Sequence, residues 1–183
     1  MHQCRRRPVL SARAVAAAAA LLVGAAVAPA GANGSHDFDF EFGTWRARLK
    51  TRAPLTLSNT WKILHGTSVV RKVWGGRANL GELFLKSGNT HIEALSLRLY
   101  DQKNHVWNLY FANAATGRLG PPDVGAFQRG CGVFYDRETY DGKPVDVRFV
   151  FSGITATSFR FVQSYSSDHG QTWIENWIST FAR

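Results

Sequence analysis

Cysteine occurs only twice in the 183 residues, at Cys4 and Cys131, so a disulfide-stapled scaffold is excluded. Six prolines and seventeen glycines without a repeat exclude collagen-like and low-complexity chains. No Gly-x-Ser-x-Gly elbow, phosphate-binding loop or His-Glu-x-x-His helix occurs, and the single downstream cysteine has no histidine near it in sequence. The histidines are scattered: His36, His65, His91, His105 and His169 have no partner at i+2 or i+4, so spacing suggests neither a metal site nor a bound cofactor. Lys and Arg never run to four in a row, and no basic amphipathic helix is present. The net charge of +9 therefore reads as a solvated surface, not a nucleic-acid or anionic-membrane footprint.

What is present is an export leader followed by a β-rich chain. Arg5, Arg6 and Arg7 make a positive segment, Ala14 to Ala28 is uncharged and apolar, and Ala30-Gly31-Ala32 offers small residues for cleavage. Fifteen apolar residues fall short of the roughly 20 that a spanning helix needs, so residues 1–32 are expected to be a signal helix that leaves no membrane anchor. Arg6-Arg7-Pro8-Val9-Leu10 also fits a loose twin-arginine pattern. The expected destination is secreted or periplasmic. Cleavage would remove Cys4 and leave Cys131 as the only cysteine, so no internal disulfide is expected in the mature chain.

The six Trp, five Tyr and twelve Phe all lie after residue 32, enough to build a core. From Phe38 onward, short runs of period 2 alternate with turn residues, and no helical face is longer than a turn or two. The runs predict strands near Phe42 to Lys50, Ser58 to His65, Thr67 to Trp74, Glu82 to Leu85, Ile92 to Tyr100 and Val106 to Asn113. Further strands are predicted near Val124 to Arg129, Gly132 to Tyr140, Val145 to Ser152, Ser158 to Ser166 and Thr172 to Phe181. Asp141-Gly142-Lys143-Pro144 and Asp168-His169-Gly170 carry the chemistry of tight turns. The expected organisation is a leader at 1–32, a short arm at 33–37 and one all-β domain at 38–183. That domain is a single antiparallel up-and-down barrel of about ten strands, with a sandwich as the other architecture such a pattern allows.

Alternation also nominates residues. On the last strand Trp173, Glu175, Trp177, Ser179 and Phe181 share a phase, which would place Glu175 between tryptophans. A buried carboxylate must be paired or protonated, and Arg148 and Arg160 on the preceding strands are candidate partners. The group reads either as a polar anchor in a pocket or as a structural ion pair, and the facing of Arg148 and Arg160 is open. Gln163 shares its phase with Phe159, Phe161 and Tyr165, a polar group on an apolar wall. The candidate ligand-binding residues are thus Glu175, Trp177, Gln163, Arg148 and Arg160.

The opening Phe38-Asp39-Phe40-Glu41-Phe42-Gly43-Thr44-Trp45 and the closing Thr180-Phe181-Ala182-Arg183 resemble lipocalins and other calycins. In those barrels an Arg from the last strand covers the Trp of the first-strand Gly-x-Trp. The resemblance implies Trp45 and Arg183 as the closing pair. With Trp74-Gly75-Gly76-Arg77-Ala78-Asn79, Leu97-Arg98-Leu99-Tyr100-Asp101 and Pro121-Pro122-Asp123-Val124-Gly125, the chain is similar to the bacterial DUF1579 family, calycin-like barrels without an established activity. Arg46 and Arg48 stand where the haem-binding nitrobindins carry glycines, which argues against haem. Ser166-Ser167-Asp168-His169-Gly170-Gln171-Thr172-Trp173 matches one Asp box of the sialidase propellers, and a single copy reads as a hairpin staple.

The function these features favour is an exported barrel that binds a small apolar or amphipathic ligand in its interior, without nucleic acid as a partner. One alternative is an enzyme on the same barrel with Glu175 as general acid or base, although the reading leans against catalysis. The other is a filled, ligandless interaction protein. The sequence leaves the ligand's identity and the oligomeric state open.

Overall fold

A computed structural model describes the chain from residue 34 to residue 183; the expected leader at 1–32 lies outside the described residues. The period-2 runs form β1 (Gly43–Thr51), β2 (Lys62–Val73), β3 (Ala78–Ser87), β4 (Thr90–Asp101), β5 (Val106–Asn113) and β6 (Arg118–Leu119). They continue as β7 (Asp123–Gln128), β8 (Cys131–Tyr140), β9 (Lys143–Ser152), β10 (Ser158–Ser166) and β11 (Ile174–Ala182). All except the two-residue β6 form one closed antiparallel ring. Strands follow one another in chain order, β5 pairing with β7, and β11 returns to pair with β1. Closure removes the sheet edges that an open meander of this length would expose.

Turn chemistry accounts for the meander. Asp141 and Gly142 both have positive φ (52° and 73°) in the two-residue link between β8 and β9, the twist that splices a hairpin without splaying its strands. The Asp-box turn between β10 and β11 is a staple: the Asp168 carboxylate accepts from Thr172 N at 2.9 Å and Thr172 Oγ1 at 2.6 Å, and Ser166 Oγ accepts from Gly170 N at 2.8 Å. Hydrogen bonds from Thr172 and Ser166 hold the Asp168 acid down at about 2.

Gly66 looked like a break between two strands, yet β2 is one strand of twelve residues. Gly66 sits inside it because a Cβ there would collide with the Phe84 carbonyl oxygen of β3. β6 was not expected at all. Cys131, at the start of β8, is disulfide-bonded in the full chain, and the expectation of no internal disulfide concerns the chain after cleavage.

One end of the barrel is plugged by two 3-10 turns, Gly34–His36 and Asp39–Glu41. They carry Phe38 into the barrel, where it is fully buried against Trp107, Phe127 and Phe151 at ring-centre distances of 5.0, 4.9 and 5.2 Å, all edge-to-face. Trp107 Nε1 donates to Gly34 O and Trp45 Nε1 to Glu41 O, so both buried indole donors are satisfied by the plug. The Arg183 guanidinium lies 4.0 Å from the Trp45 ring centre and donates to Phe42 O at 2.9 Å.

Candidate ligand-binding cavity

The barrel is hollow because its walls are unequal. On β2, β3 and β4 the inward positions include Ser68, Gly81, Ala94 and Ser96, in cross-strand register with one another or with Leu83. Across the ring, β9, β10 and β11 present Phe149, Phe151, Phe161, Trp177 and Phe181. Small residues facing rings leave a cavity of about 580 Å³, large enough for a drug-sized molecule. Its lining runs out to Tyr110, Thr116, Arg118, Leu119, Gly120 and Pro121, the segment after the middle of β5. There β7 meets β5 over only three residue pairs, ending at Leu109–Asp123, and β6 covers the rest of β5.

The floor is a buried charge pair. Arg98 Nη2 donates to Glu41 Oε1 at 3.0 Å, and Nη1 lies 2.8 Å from Oε2 and donates to Asn79 Oδ1 at 2.9 Å. Burial pushes the Glu41 acid up and the Arg98 base down, and the contact between them opposes both shifts. The guanidinium also lies over Phe38, 4.8 Å from its ring centre. This cluster ties the plug to β4.

One side of the cavity is acidic. Asp123 on β7 is 4% exposed, and its Oδ1 meets no hydrogen-bond partner. On β8, Asp136 and Glu138 share the inward phase of Phe134, and Asp136 Oδ2 is likewise unpartnered. Burial, then repulsion from Asp136 and Glu138, pushes the Asp123 acid up to about 8. Glu138 is raised too, mainly by burial, although it accepts from Tyr165 O–H at 3.1 Å. At neutral pH the cavity wall thus holds a protonated carboxyl at Asp123.

The structure divides the five nominated residues between two faces. Gln163 and Trp177 line the cavity; Gln163 Nε2 lies 3.4 Å from Asn176 Oδ1, and Trp177 Nε1 donates to Ser179 Oγ at 2.9 Å. Glu175 does not join them. The β10–β11 register shifts after Gln163–Trp177, so Ser164 pairs with Glu175 and Asn176 is the extra residue of a bulge. That one residue turns Glu175 outward, where it is exposed and lies 3.8 Å from Arg160 at a surface position. Arg148 is on the same outer surface, half-buried, with its guanidinium 4.3 Å from the Trp173 ring centre. The enclosed Glu175, its tryptophan flanks and its role as a buried acid or base are therefore corrected: burial is the premise of that chemistry, and a bulge removes it.

Asp123, Asp136 and Glu138, with the Glu41–Arg98 floor, were missed by reading the sequence. The signal was there: Phe134, Asp136 and Glu138 are one phase of β8, and Ser96, Arg98 and Tyr100 one phase of β4. Charged residues on the phase of buried rings deserve the weight given to Glu175, whose own phase is broken by the bulge.

No family model matches the chain, and no curated protein matches it. Among solved structures it is similar to the S-type phycobiliprotein lyase CPES from Guillardia theta, at 13% identity and a TM-score of 0.55. The match covers 80% of this chain and 90% of that one. At that identity the likeness shows the fold, a lipocalin-like barrel, and leaves chemistry to the site.

Proposed function

We propose that this chain is an exported calycin-like barrel, related to DUF1579 through the motifs above, that sequesters a small, largely apolar molecule in its interior. The observation that carries the reading is the cavity of about 580 Å³, walled by rings and reaching the segment around Leu119 and Pro121. Burying apolar ligand surface contributes about 25 cal/mol per Å², and a few polar groups fix orientation. Gln163 and Trp177 are the expected contacts among the residues nominated from sequence. The structural neighbour's name describes it as a phycobiliprotein lyase, which is compatible with a barrel of this shape handling a small molecule. A solidly filled barrel is the poorer account, given the cavity. Catalysis by Glu175 loses its basis, given that side chain's exposure.

The test is native mass spectrometry of the full chain expressed in an exporting host, followed by denaturation and identification of what is released. A stoichiometric, non-covalent adduct of a few hundred daltons is expected. A chain that stays empty, and whose melting temperature is unmoved by a panel of aromatic alcohols, amines and fatty acids, would overturn the proposal.

A further inference from the structure

We propose that the cavity selects an organic cation, an amphipathic amine or ammonium whose nitrogen sits at Asp123 and whose apolar remainder lies along Phe149, Phe161 and Trp177. This deepens the reading of the barrel as a binder of small molecules and rests on it. Two independent features point the same way. Asp123 lines the cavity, is 96% removed from solvent and has an oxygen without a partner, an arrangement that costs free energy unless something else supplies a donor. The charges around it are all of one sign.

The groups that face Asp123 can be taken strand by strand. β5 presents Leu109, directly opposite in register, which neither donates nor carries charge. β8 presents Asp136 and Glu138, both close enough to raise the Asp123 acid by repulsion. β10 presents Tyr165, whose hydroxyl is already donated to Glu138 at 3.1 Å. The cations that line the cavity are placed elsewhere: Arg98 is held by Glu41 and Asn79 at the floor, and Arg118 lies on β6, which is exposed. Asp123 Oδ1 is therefore an acceptor that no side-chain donor or positive charge of the protein meets; the carboxyl's one hydrogen bond comes from its own backbone N–H.

The surroundings narrow the ligand's chemistry. An ammonium brings both donors and charge to this acceptor, and rings along the rest of the cavity add cation–π attraction and apolar area. A metal ion is a poorer fit, because among the described residues no group of three or more Asp, Glu, His or Cys is placed to hold one. An anion would meet the carboxyls of Asp123 and Glu138, with Asp136 behind them. When a protonated amine binds, Asp123 passes its own proton to solvent and stays as the carboxylate of an ion pair, so one proton leaves for each amine taken up.

The experiment uses three probes of one shape: 1-naphthylmethylamine, 1-naphthylmethanol and 1-naphthoate, titrated calorimetrically into the full chain at pH 7 in two buffers of different ionisation enthalpy. The expected result is at least tenfold tighter binding of the amine than of the alcohol, with proton release, and no detectable binding of the carboxylate. Asp123→Asn should abolish the preference for the amine while keeping the alcohol's affinity, which also shows that the variant is folded. Glu138→Gln should weaken the preference without abolishing it. Equal affinity for amine and alcohol, or a preference that survives Asp123→Asn, overturns this proposal while leaving the cavity as a binding site. Failure of both amine and alcohol to bind overturns it together with the reading of the barrel as a binder.

Discussion

Replacing Asp123 by Asn should change how the stability of the empty barrel depends on pH. In the unfolded chain the carboxyl titrates near 3.9, whereas in the folded chain it is pushed up to about 8 by burial and by Asp136 and Glu138. Between those values the folded chain holds a proton that the unfolded chain has released. Stability from this group is therefore complete below about pH 4 and is lost as pH rises toward 8. The limiting slope for one proton is about 1.4 kcal/mol per pH unit. Asn keeps the shape and removes the titration. From pH 5 to pH 7.5 the Asn variant should therefore gain about 2 to 3 kcal/mol on the wild type. Urea unfolding followed by the fluorescence of the fully buried Trp45 and Trp107 measures both chains at each pH. A stability difference that stays constant within about 0.5 kcal/mol across that range would refute the placement of Asp123 as a buried, proton-holding acid.

Two further substitutions test other parts of the account. Arg98→Met leaves Glu41 buried without its partner and should cost about 3 to 5 kcal/mol in urea unfolding, with much of that recovered when Glu41→Gln is added. Asp168→Ala removes the acceptor for Thr172 N and Oγ1 and should speed amide exchange and proteolysis at the β10–β11 turn while the β1 amides stay protected. Since the Asp168 acid is held near 2, the wild-type turn should keep its protection as pH falls to about 4 and lose it only as pH falls through 2.

The fold was legible because its signals are local and repeated. Alternation through Phe159, Phe161, Gln163 and Tyr165 needs no knowledge of distant contacts, and Asp141-Gly142 announces its turn by residue type alone. The closing pair of Trp45 and Arg183, at the two ends of the domain, came from resemblance and not from pattern. The site was legible only in part, because facing is set by register, and a bulge alters register without altering composition. Asn176 is such a residue: its backbone carbonyl accepts from Thr51 Oγ1 and Arg52 N, both on or just beyond β1, more than a hundred residues away. No window around Glu175 contains that information. The acids of β7 and β8 are a different case, since their phase was readable, but their convergence on one side of a cavity depends on ring closure.

The most direct test of the central claim is whether filling the cavity abolishes binding. Ser96 faces Gly81 across β3 and β4 on the wall of small residues, so Ser96→Phe should project a ring into the empty volume without disturbing the plug. Titration of 1-naphthylmethanol into the wild type should give one site per chain with quenching of Trp177, and the Ser96→Phe chain, folded by circular dichroism, should bind at least tenfold more weakly. Equal binding by both chains would place the ligand outside the barrel and contradict the account.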